Sequence, residues 1–283
     1  MRFGVVGTGY WARETHAVAL AAHPDADLVG VWGRSFAAAT ELAEAVGAWP
    51  YERADDMFAQ VDAVAFAVPP DVQAELAVRA ATRGCHLLMD KPVAFATEDA
   101  DRIAEAVDQA GVRSLVFFTS RFVANQADWL TGVQHQDGWN SGAVRMYASI
   151  FEPGNPFGQS PWRRARGALW DIGPHALSIL LPALGPVTHV IGDHGPGDMV
   201  TVVLRHESGA SSTMSLSLTA PPGSRGNTWQ LFGQDRQTTM PEATTTPLEA
   251  MGGCISALVG EQQGRWQLPC AFRARRGEGP AGG

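Results

Sequence analysis

The regular alternation of apolar and amphipathic segments over residues 1–120 most constrains what this chain can fold into. Apolar runs typical of buried strands are each linked to the next by helix-like sequence, and they stand at 2–6, 28–32, 61–68, 86–89 and 114–118. Strands that alternate with helices indicate a parallel sheet covered on both faces, because parallel neighbours need a helix-sized crossover. We therefore predict an α/β domain over residues 1–120.

The pattern changes after residue 120. Segments that resemble strands, several with alternating apolar and polar residues, stand at 144–151, 187–192, 199–206, 211–219 and 228–232, and a helical segment at 175–184 interrupts them. This order predicts an α+β domain with a mostly antiparallel open sheet over residues 121–283. From about residue 273 onward the composition is typical of a flexible tail.

A glycine-rich turn follows the first strand and opens the first helix. It has the pattern G-x-G-x-x-A and comprises Gly7, Thr8, Gly9, Tyr10, Trp11 and Ala12. Glycines in this setting allow a tight turn and close approach of a pyrophosphate, while the helix N-terminus supplies amide donors. The turn predicts a Rossmann domain that binds a dinucleotide. The alternative is a plain glycine turn in an α/β protein.

The end of the second strand indicates which dinucleotide is bound. NAD-binding domains usually place an acid there, roughly 20 residues after the glycines, at the ribose 2′-hydroxyl. In this chain Gly33, Arg34 and Ser35 occupy that place, and the nearby acids precede the strand at its other end. Gly33 leaves room for a phosphate, and Arg34 and Ser35 offer donors for it. We therefore expect NADP to be preferred over NAD; the alternative is a solvated arginine followed by a helix-capping serine.

The chain contains a single lysine, Lys91, among 21 basic residues, and it stands in the sequence Asp90-Lys91-Pro92 directly after a predicted strand. Arginine would serve solubility equally well at this position, but its guanidinium effectively never gives up a proton, whereas the pKa of lysine can be tuned. Lys91 is therefore a candidate for proton transfer. The alternative is a surface lysine that occurs here by chance.

A third cluster precedes the helical segment of the second domain. Asp171 and His175 flank Pro174, a residue that favours the first turn of a helix. The two side chains could then lie at one end of that helix and face a common cleft. The alternatives are a helix-capping aspartate and a histidine buried in the core.

These three clusters, in this order, resemble those of the Gfo/Idh/MocA oxidoreductases, the family of glucose–fructose oxidoreductase and inositol dehydrogenase. The resemblance covers about residues 1–235 and implies that Lys91, Asp171 and His175 are catalytic. It also implies cofactor contacts by the glycine-rich turn and by a further set: Val68, Pro69, Asp90, Trp162 and Arg163. Many members have another aspartate where this chain has Ser178, and members usually continue further than this sequence.

The activity that this resemblance implies is reversible hydride transfer between NADP(H) and an alcohol or ketone carbon of a sugar, polyol or similar small polar substrate. His175 is our preferred general acid or base because imidazole titrates near working pH. Lys91 would polarise the reacting oxygen, and Asp171 would orient the histidine or a substrate hydroxyl. Two alternatives stay open, namely glycoside cleavage assisted by a tightly bound NAD and a non-catalytic dinucleotide sensor.

Charge and composition bear on the partners. The net charge of −8 makes nucleic acid and anionic membranes poor partners, and no apolar run approaches the ~20 residues of a membrane span. The three cysteines have no metal-binding spacing, so no metal is expected. Without a recognisable signal peptide we expect a cytoplasmic protein. The resemblance implies a homodimer or homotetramer formed through the open face of the second sheet.

Overall fold

The computed structural model describes residues 1–260, so Cys270 and the predicted flexible tail lie outside the described residues. The first sheet has six parallel strands: β1 (Arg2–Val6), β2 (Asp27–Trp32), β3 (Trp49–Tyr51), β4 (Ala63–Phe66), β5 (His86–Met89) and β6 (Ser114–Val116). Their order is β3-β2-β1-β4-β5-β6, a doubly wound arrangement, which confirms the predicted Rossmann domain. The edge strand β3 was not predicted because it is short and contains Pro50.

Helices cover both faces of this sheet. In chain order they are α1 (Val18–Ala22), α2 (Phe36–Val46), α3 (Ala54–Phe58), α4 (Pro70–Thr82) and α5 (Thr97–Ala110). The helix that follows the glycine-rich turn starts as a π-helix over Ala12–Ala17 and becomes α1 only afterwards. Such π-helical turns are rare and occur frequently at functional sites.

The second domain contains α6 (Ala124–Gln134), β7 (Trp139–Tyr147), α7 (Pro161–Asp171), α8 (Gly173–Leu184), β8 (Val187–His194), β9 (Val200–His206), β10 (Ser211–Ser217), β11 (Gly226–Gly233) and β12 (Gln237–Thr239). Its sheet has the order β12-β11-β7-β10-β9-β8, and every neighbouring pair is antiparallel except β7 with β10. This confirms the mostly antiparallel sheet. The sequence analysis missed α6 and α7 and began α8 two residues late. The apolar periodicity of α6 is weak, and α7 is interrupted at Gly167, which has φ +70°.

One face of the second sheet packs on helices and the other is open. Residues of β7, β9 and β10 that point toward the helices form one apolar core with α7 and α8. On the other face the large apolar side chains of Ile191 and Val203, which are paired between β8 and β9, are exposed. The predicted open face is therefore present and partly apolar.

The last helix, α9 (Pro247–Val259), returns to the first domain. Its buried residues Met251, Cys254 and Ile255 share one core with β1 and with the helix that follows the glycine-rich turn. The sequence analysis assigned residues 121–283 to the second domain and so did not predict that α9 packs on the first. The local sequence of 247–259 does not indicate which of the two sheets the helix covers.

The chain therefore crosses twice between the domains, and the two crossings are hydrogen-bonded to each other. Asn125 donates to the carbonyl of Glu242 at 2.7 Å and accepts from the hydroxyl of Thr244 at 3.0 Å. Gln126 donates to the carbonyl of Pro241 at 2.9 Å. The junction is thus a paired segment rather than a single linker.

Residues 1–260 lack two kinds of feature. Over that range no helix has the length and apolar character needed to cross a membrane. In the same residues no cluster of three or more His, Cys, Asp or Glu side chains is arranged to hold a metal ion.

Candidate active site

Lys91 and Asp171 meet between the two domains. Lys91 follows β5 at the carboxyl edge of the parallel sheet, and Asp171 is the last residue of α7. The Lys91 ammonium donates to Asp171 Oδ1 at 2.7 Å and to the Asp171 carbonyl oxygen at 2.8 Å. Both side chains are nearly buried, with 11% and 7% exposed. Since an ammonium has three donors, one N–H of Lys91 remains for another acceptor.

The second carboxylate oxygen of Asp171 is also close to a cation. Nε of Arg163 lies 3.1 Å from Oδ2, an ion-pair distance, although its N–H is not directed at that oxygen. Burial alone would raise the pKa of Asp171, but the charges of Lys91 and Arg163 and the hydrogen bond from Lys91 outweigh burial and lower the pKa. Asp171 is therefore a carboxylate that holds two cations in place.

His175 lies in the first turn of α8, and its ring meets the edge of Phe118 at 6.3 Å between centroids. Burial is the main cause that lowers the pKa of His175 to about 3, and the positive charges of Lys91 and Arg163 act in the same direction. The expectation that this imidazole titrates near working pH is therefore wrong for the structure as it stands. His175 is a neutral imidazole beside a charged lysine.

Gln73 fixes the loop that carries Lys91, and the sequence analysis did not find it. This fully buried side chain of α4 accepts from the Asp90 amide at 2.9 Å and donates to the Asp90 carbonyl at 2.8 Å and the Val93 carbonyl at 3.0 Å. The Asp90 carboxylate accepts from the Lys91 amide at 2.7 Å, so the Asp90 side chain also stabilises the conformation of this loop. In the sequence, the only local indication of this role is a glutamine at a position of α4 that is otherwise apolar and buried.

The glycine-rich turn has the shape of a dinucleotide cradle. Gly7 has φ +131°, and a Cβ there would lie 2.4 Å from the Ala67 carbonyl oxygen and 3.3 Å from Val68. Its amide donates to the Trp32 carbonyl at 2.8 Å, which ties the turn to the end of β2. A Cβ on Gly9 would meet nothing within 4 Å, so the backbone there is open to a ligand. These observations fit a pyrophosphate at the turn.

The aromatic residues of the turn reach the second domain. Tyr10 and Trp11 meet the ring of Phe157 at centroid distances of 5.6 and 5.7 Å. The guanidinium of Arg163 lies 5.4 Å from the same ring and 4.7 Å from the ring of Trp162. The structure therefore gathers Tyr10, Trp11 and Arg163 around Phe157, with Trp162 stacked on Arg163, which in turn lies 3.1 Å from Asp171.

The ribose end of the turn differs from the expectation in two respects. The space above Gly33 is filled, since a Cβ there would lie 2.6 Å from Cγ2 of Thr8. Ser35 caps α2 by accepting from the Ala38 amide at 3.3 Å. Arg34 is exposed and lines a pocket of about 360 Å³, together with Trp32, Glu52, Arg53, Ala54, Asp55, Val72, Glu75, Leu76 and Arg79. Pro69 is the N-cap of α4, and it follows Val68, whose side chain lies against Gly7.

Ser178, the position where family members often have an aspartate, faces its own helix. It is buried, and its hydroxyl donates to the His175 carbonyl at 2.8 Å. Arg121 donates to the Ser178 carbonyl at 3.2 Å. Ser178 therefore supports the start of α8 instead of contacting the cleft.

The fold and this site define the class of protein. Residues 1–118 match the profile of the Gfo/Idh/MocA oxidoreductase family, described as an NAD-binding Rossmann fold, and residues 140–237 match the profile of the family's C-terminal domain. The chain belongs to the Gfo/Idh/MocA oxidoreductase family.

Three known proteins illustrate the likeness. The chain is 31% identical to dTDP-3,4-didehydro-2,6-dideoxy-alpha-D-glucose 3-reductase of Streptomyces antibioticus, over 79% of this chain and 66% of that protein. It is 27% identical to inositol 2-dehydrogenase of Rhizobium meliloti, over 79% and 70%. It superimposes with a TM-score of 0.76 on the WlbA dehydrogenase of Bordetella pertussis in complex with NADH and UDP-GlcNAcA, at 25% identity over 84% and 73%. The chain thus spans about two thirds of the length of these relatives.

Proposed function

We propose that this protein transfers a hydride between a nicotinamide dinucleotide and a hydroxyl-bearing carbon of a sugar or polyol. The observation that carries the proposal is the Lys91–Asp171 pair, with an unused Lys91 donor and a neutral His175 beside it, between a dinucleotide cradle and a second domain. The class is supported by the three relatives, whose names specify a deoxysugar reductase, an inositol dehydrogenase and a dehydrogenase bound to a nucleotide sugar.

Each residue has a separate task in this reaction. When bound, the cofactor supplies the carbon that accepts or donates the hydride. Lys91 donates its free N–H to the substrate oxygen, stabilises negative charge that develops there, and shares the transferred proton with His175. The neutral His175 accepts the proton when an alcohol is oxidised and returns it when a ketone is reduced. Asp171 holds Lys91 in place and balances its charge.

The same proposal includes a preference for NADP(H) over NAD(H). Arg34 is exposed at the end of β2 and has no acidic neighbour in the turn, so its guanidinium is free to meet a 2′-phosphate. Ser35 contributes less than the sequence suggested, because its hydroxyl already caps α2.

A spectrophotometric screen tests the proposed activity. Sugars, polyols and their keto forms are incubated with the protein and each cofactor while nicotinamide absorbance is followed. A substrate-dependent change that is lost in Lys91→Ala supports hydride transfer. Conversion of a glycoside without net change in the cofactor would favour the cleavage alternative. Binding of cofactor without any conversion would favour a sensor.

We also propose a dimer or tetramer that is formed through the open face of the second sheet. The exposed side chains of Ile191 and Val203 on that face would be buried by a second copy. Light scattering at micromolar concentration is expected to give a multiple of 30.1 kDa. Ile191→Asp should lower that mass, while a monomeric wild type would rule the proposal out.

A further inference from the structure

Residues 151–160, which we call the strap, lie between β7 and α7 and contact the first domain. Two local contacts make the strap compact. The Asn155 side chain accepts from the Phe157 amide at 3.0 Å. Gly158 packs so closely that a Cβ there would clash with the carbonyl oxygen of Ile150. The turn that carries Phe157 is therefore tied to the second domain.

The Phe157 ring meets two side chains of the glycine-rich turn. Its centroid lies 5.6 Å from that of Tyr10 and 5.7 Å from that of Trp11, with interplanar angles of 89° and 66°. Edge-to-face pairs of this kind are favourable, and each one shifts an equilibrium by roughly two- to tenfold. The two domains are thus in contact at the turn itself as well as at the Lys91–Asp171 pair.

This contact borders the part of the turn that is open to a ligand. Tyr10 directly follows Gly9, where a Cβ would meet nothing within 4 Å. Tyr10 is still 49% exposed, so Phe157 covers the turn from one side without filling the open space. A dinucleotide that enters or leaves on that side has to pass a contact that protein side chains make with each other.

The same ring also contacts the cation beside the catalytic pair. The Arg163 guanidinium lies 5.4 Å from the Phe157 ring, and Arg163 Nε lies 3.1 Å from Asp171 Oδ2. The Arg163 side chain is only 19% exposed, so it is a firm support for the ring. Phe157 therefore stands between the cradle in the first domain and the neighbours of Asp171 in the second.

We propose that Phe157 is a gate for the dinucleotide: its contact with Tyr10 and Trp11 closes the cradle, and it opens each time a dinucleotide enters or leaves. The inference rests on the proposed function in one respect, namely that the cradle binds a nicotinamide dinucleotide. Such a gate has a kinetic signature. Because the contact is made between protein side chains and needs no ligand, its loss speeds entry and release by similar factors and leaves Kd almost unchanged.

Stopped-flow fluorescence of NADPH and NADH binding measures both rates without any substrate. For Phe157→Ala we expect the association and dissociation rate constants each to rise about tenfold, from the loss of two aromatic pairs. Kd should stay within about threefold of wild type. Phe157→Leu keeps apolar bulk and should raise both rate constants by less, so it replaces the alanine variant if that variant folds poorly.

Two controls belong to the same experiment. Phe157→Tyr keeps the ring and should give rate constants near those of wild type. Phe151→Ala removes another phenylalanine of the strap, whose ring contacts the Arg164 guanidinium of its own domain at 4.4 Å instead of the turn. This variant should also bind and release the cofactors like wild type.

A double-mutant cycle assigns the effect to the contact with the turn. Tyr10→Ala removes one of the two partners of Phe157, so Phe157→Ala should accelerate release at least about twofold less in this background than in wild type. Equal acceleration in both backgrounds would show that the contact with Tyr10 does not close the cradle, which contradicts the proposal.

Two further results would overturn the inference. Unchanged rate constants in Phe157→Ala would make the contact structural only. Faster release with an equal rise in Kd would make Phe157 a direct cofactor contact instead of a gate. Neither result touches hydride transfer, which fails when no sugar or polyol changes nicotinamide absorbance in the screen. A protein that binds neither reduced cofactor would contradict the gate and the proposed function together.

Discussion

Lys91 donates to both the carboxylate and the backbone carbonyl of Asp171, 80 positions further along the chain. The ammonium is thus oriented by two acceptors of one residue, and its remaining N–H has a fixed direction. Because the two residues belong to different domains, the geometry of the reacting group depends on how the domains pack.

Replacement of Lys91 should stop turnover without loss of the fold. Lys91→Ala removes the donor to the substrate oxygen, and such losses cost about 10²–10⁴ in rate. Lys91→Arg should also fail, because the guanidinium keeps the charge but gives up no proton. The checks are kcat and the cofactor Kd, which should stay within about twofold of wild type. More than about a tenth of wild-type activity in Lys91→Arg would contradict a role in proton transfer.

The pH dependence of alcohol oxidation should show no loss of the base down to pH 5. Burial and the charge of Lys91 lower the pKa of His175 to about 3, so the neutral imidazole persists well below the ordinary value of about 6.5. The measurement is kcat/KM between pH 5 and 8, which reports the free enzyme. His175→Asn should lower kcat strongly across this whole range. A fall in kcat/KM below about pH 6.5 that is absent in His175→Asn would show that the imidazole is not held neutral.

The same shift predicts a loss of stability in acid. Below about pH 6.5 the unfolded state protonates this histidine while the folded state does not, so the free energy of unfolding falls as the pH drops toward 3. The slope is at most about 1.4 kcal/mol per pH unit for one group. Urea denaturation at pH 7 and pH 5 should therefore show a smaller difference for His175→Asn than for wild type. Identical differences would contradict the lowered pKa.

Gln73 should act as a positioning residue for Lys91. Gln73→Glu keeps the size and the acceptor for the Asp90 amide but replaces the donor to the Asp90 and Val93 carbonyls by a negative oxygen. We expect kcat to fall while KM and the cofactor Kd change little, with a loss of about 1–3 kcal/mol in the free energy of unfolding. Glu75→Gln, an exposed change on the same helix, is the control. Unchanged kcat at lower stability would make the role of Gln73 structural only.

Arg34 should decide between the two cofactors. An exposed charge-assisted contact to the 2′-phosphate is worth about tenfold in affinity at physiological salt. Arg34→Ala should therefore weaken NADPH by about that factor and leave NADH nearly unchanged. Fluorescence titration of both reduced cofactors measures this. Equal or tighter NADH binding by wild type would mean that Arg34 is only a solvated side chain.

The parts of the site that sequence predicted are those whose signal is local. The glycine-rich turn lies within six residues. Its first position requires glycine, because a side chain on Gly7 would clash with the Ala67 carbonyl, and this requirement can be recognised from the sequence pattern of a strand, a turn and a helix. Lys91 stood out because the chain has no other lysine. The resemblance to a family then linked these residues to Asp171 and His175. The spacing of these two residues alone could not distinguish a catalytic pair from a helix-capping aspartate and a core histidine.

The parts that sequence missed depend on contacts between distant segments. The partners of Gln73 lie 17 to 20 positions away in a loop that has no regular pattern. The low pKa of His175 comes from burial and from charges on two other segments. Thr8 fills the space above Gly33 only because the turn folds back over β2.

The return of α9 changes what counts as an autonomous folding unit. With Ala250 and Leu258, the residues Met251, Cys254 and Ile255 of α9 complete a core whose remaining buried members come from the first 123 residues. A fragment that ends at residue 120 would leave apolar side chains of β1 and its flanking helix in water, so it should aggregate. A cut in one crossing of intact protein would leave both halves attached, since the second crossing and the buried helix still hold them.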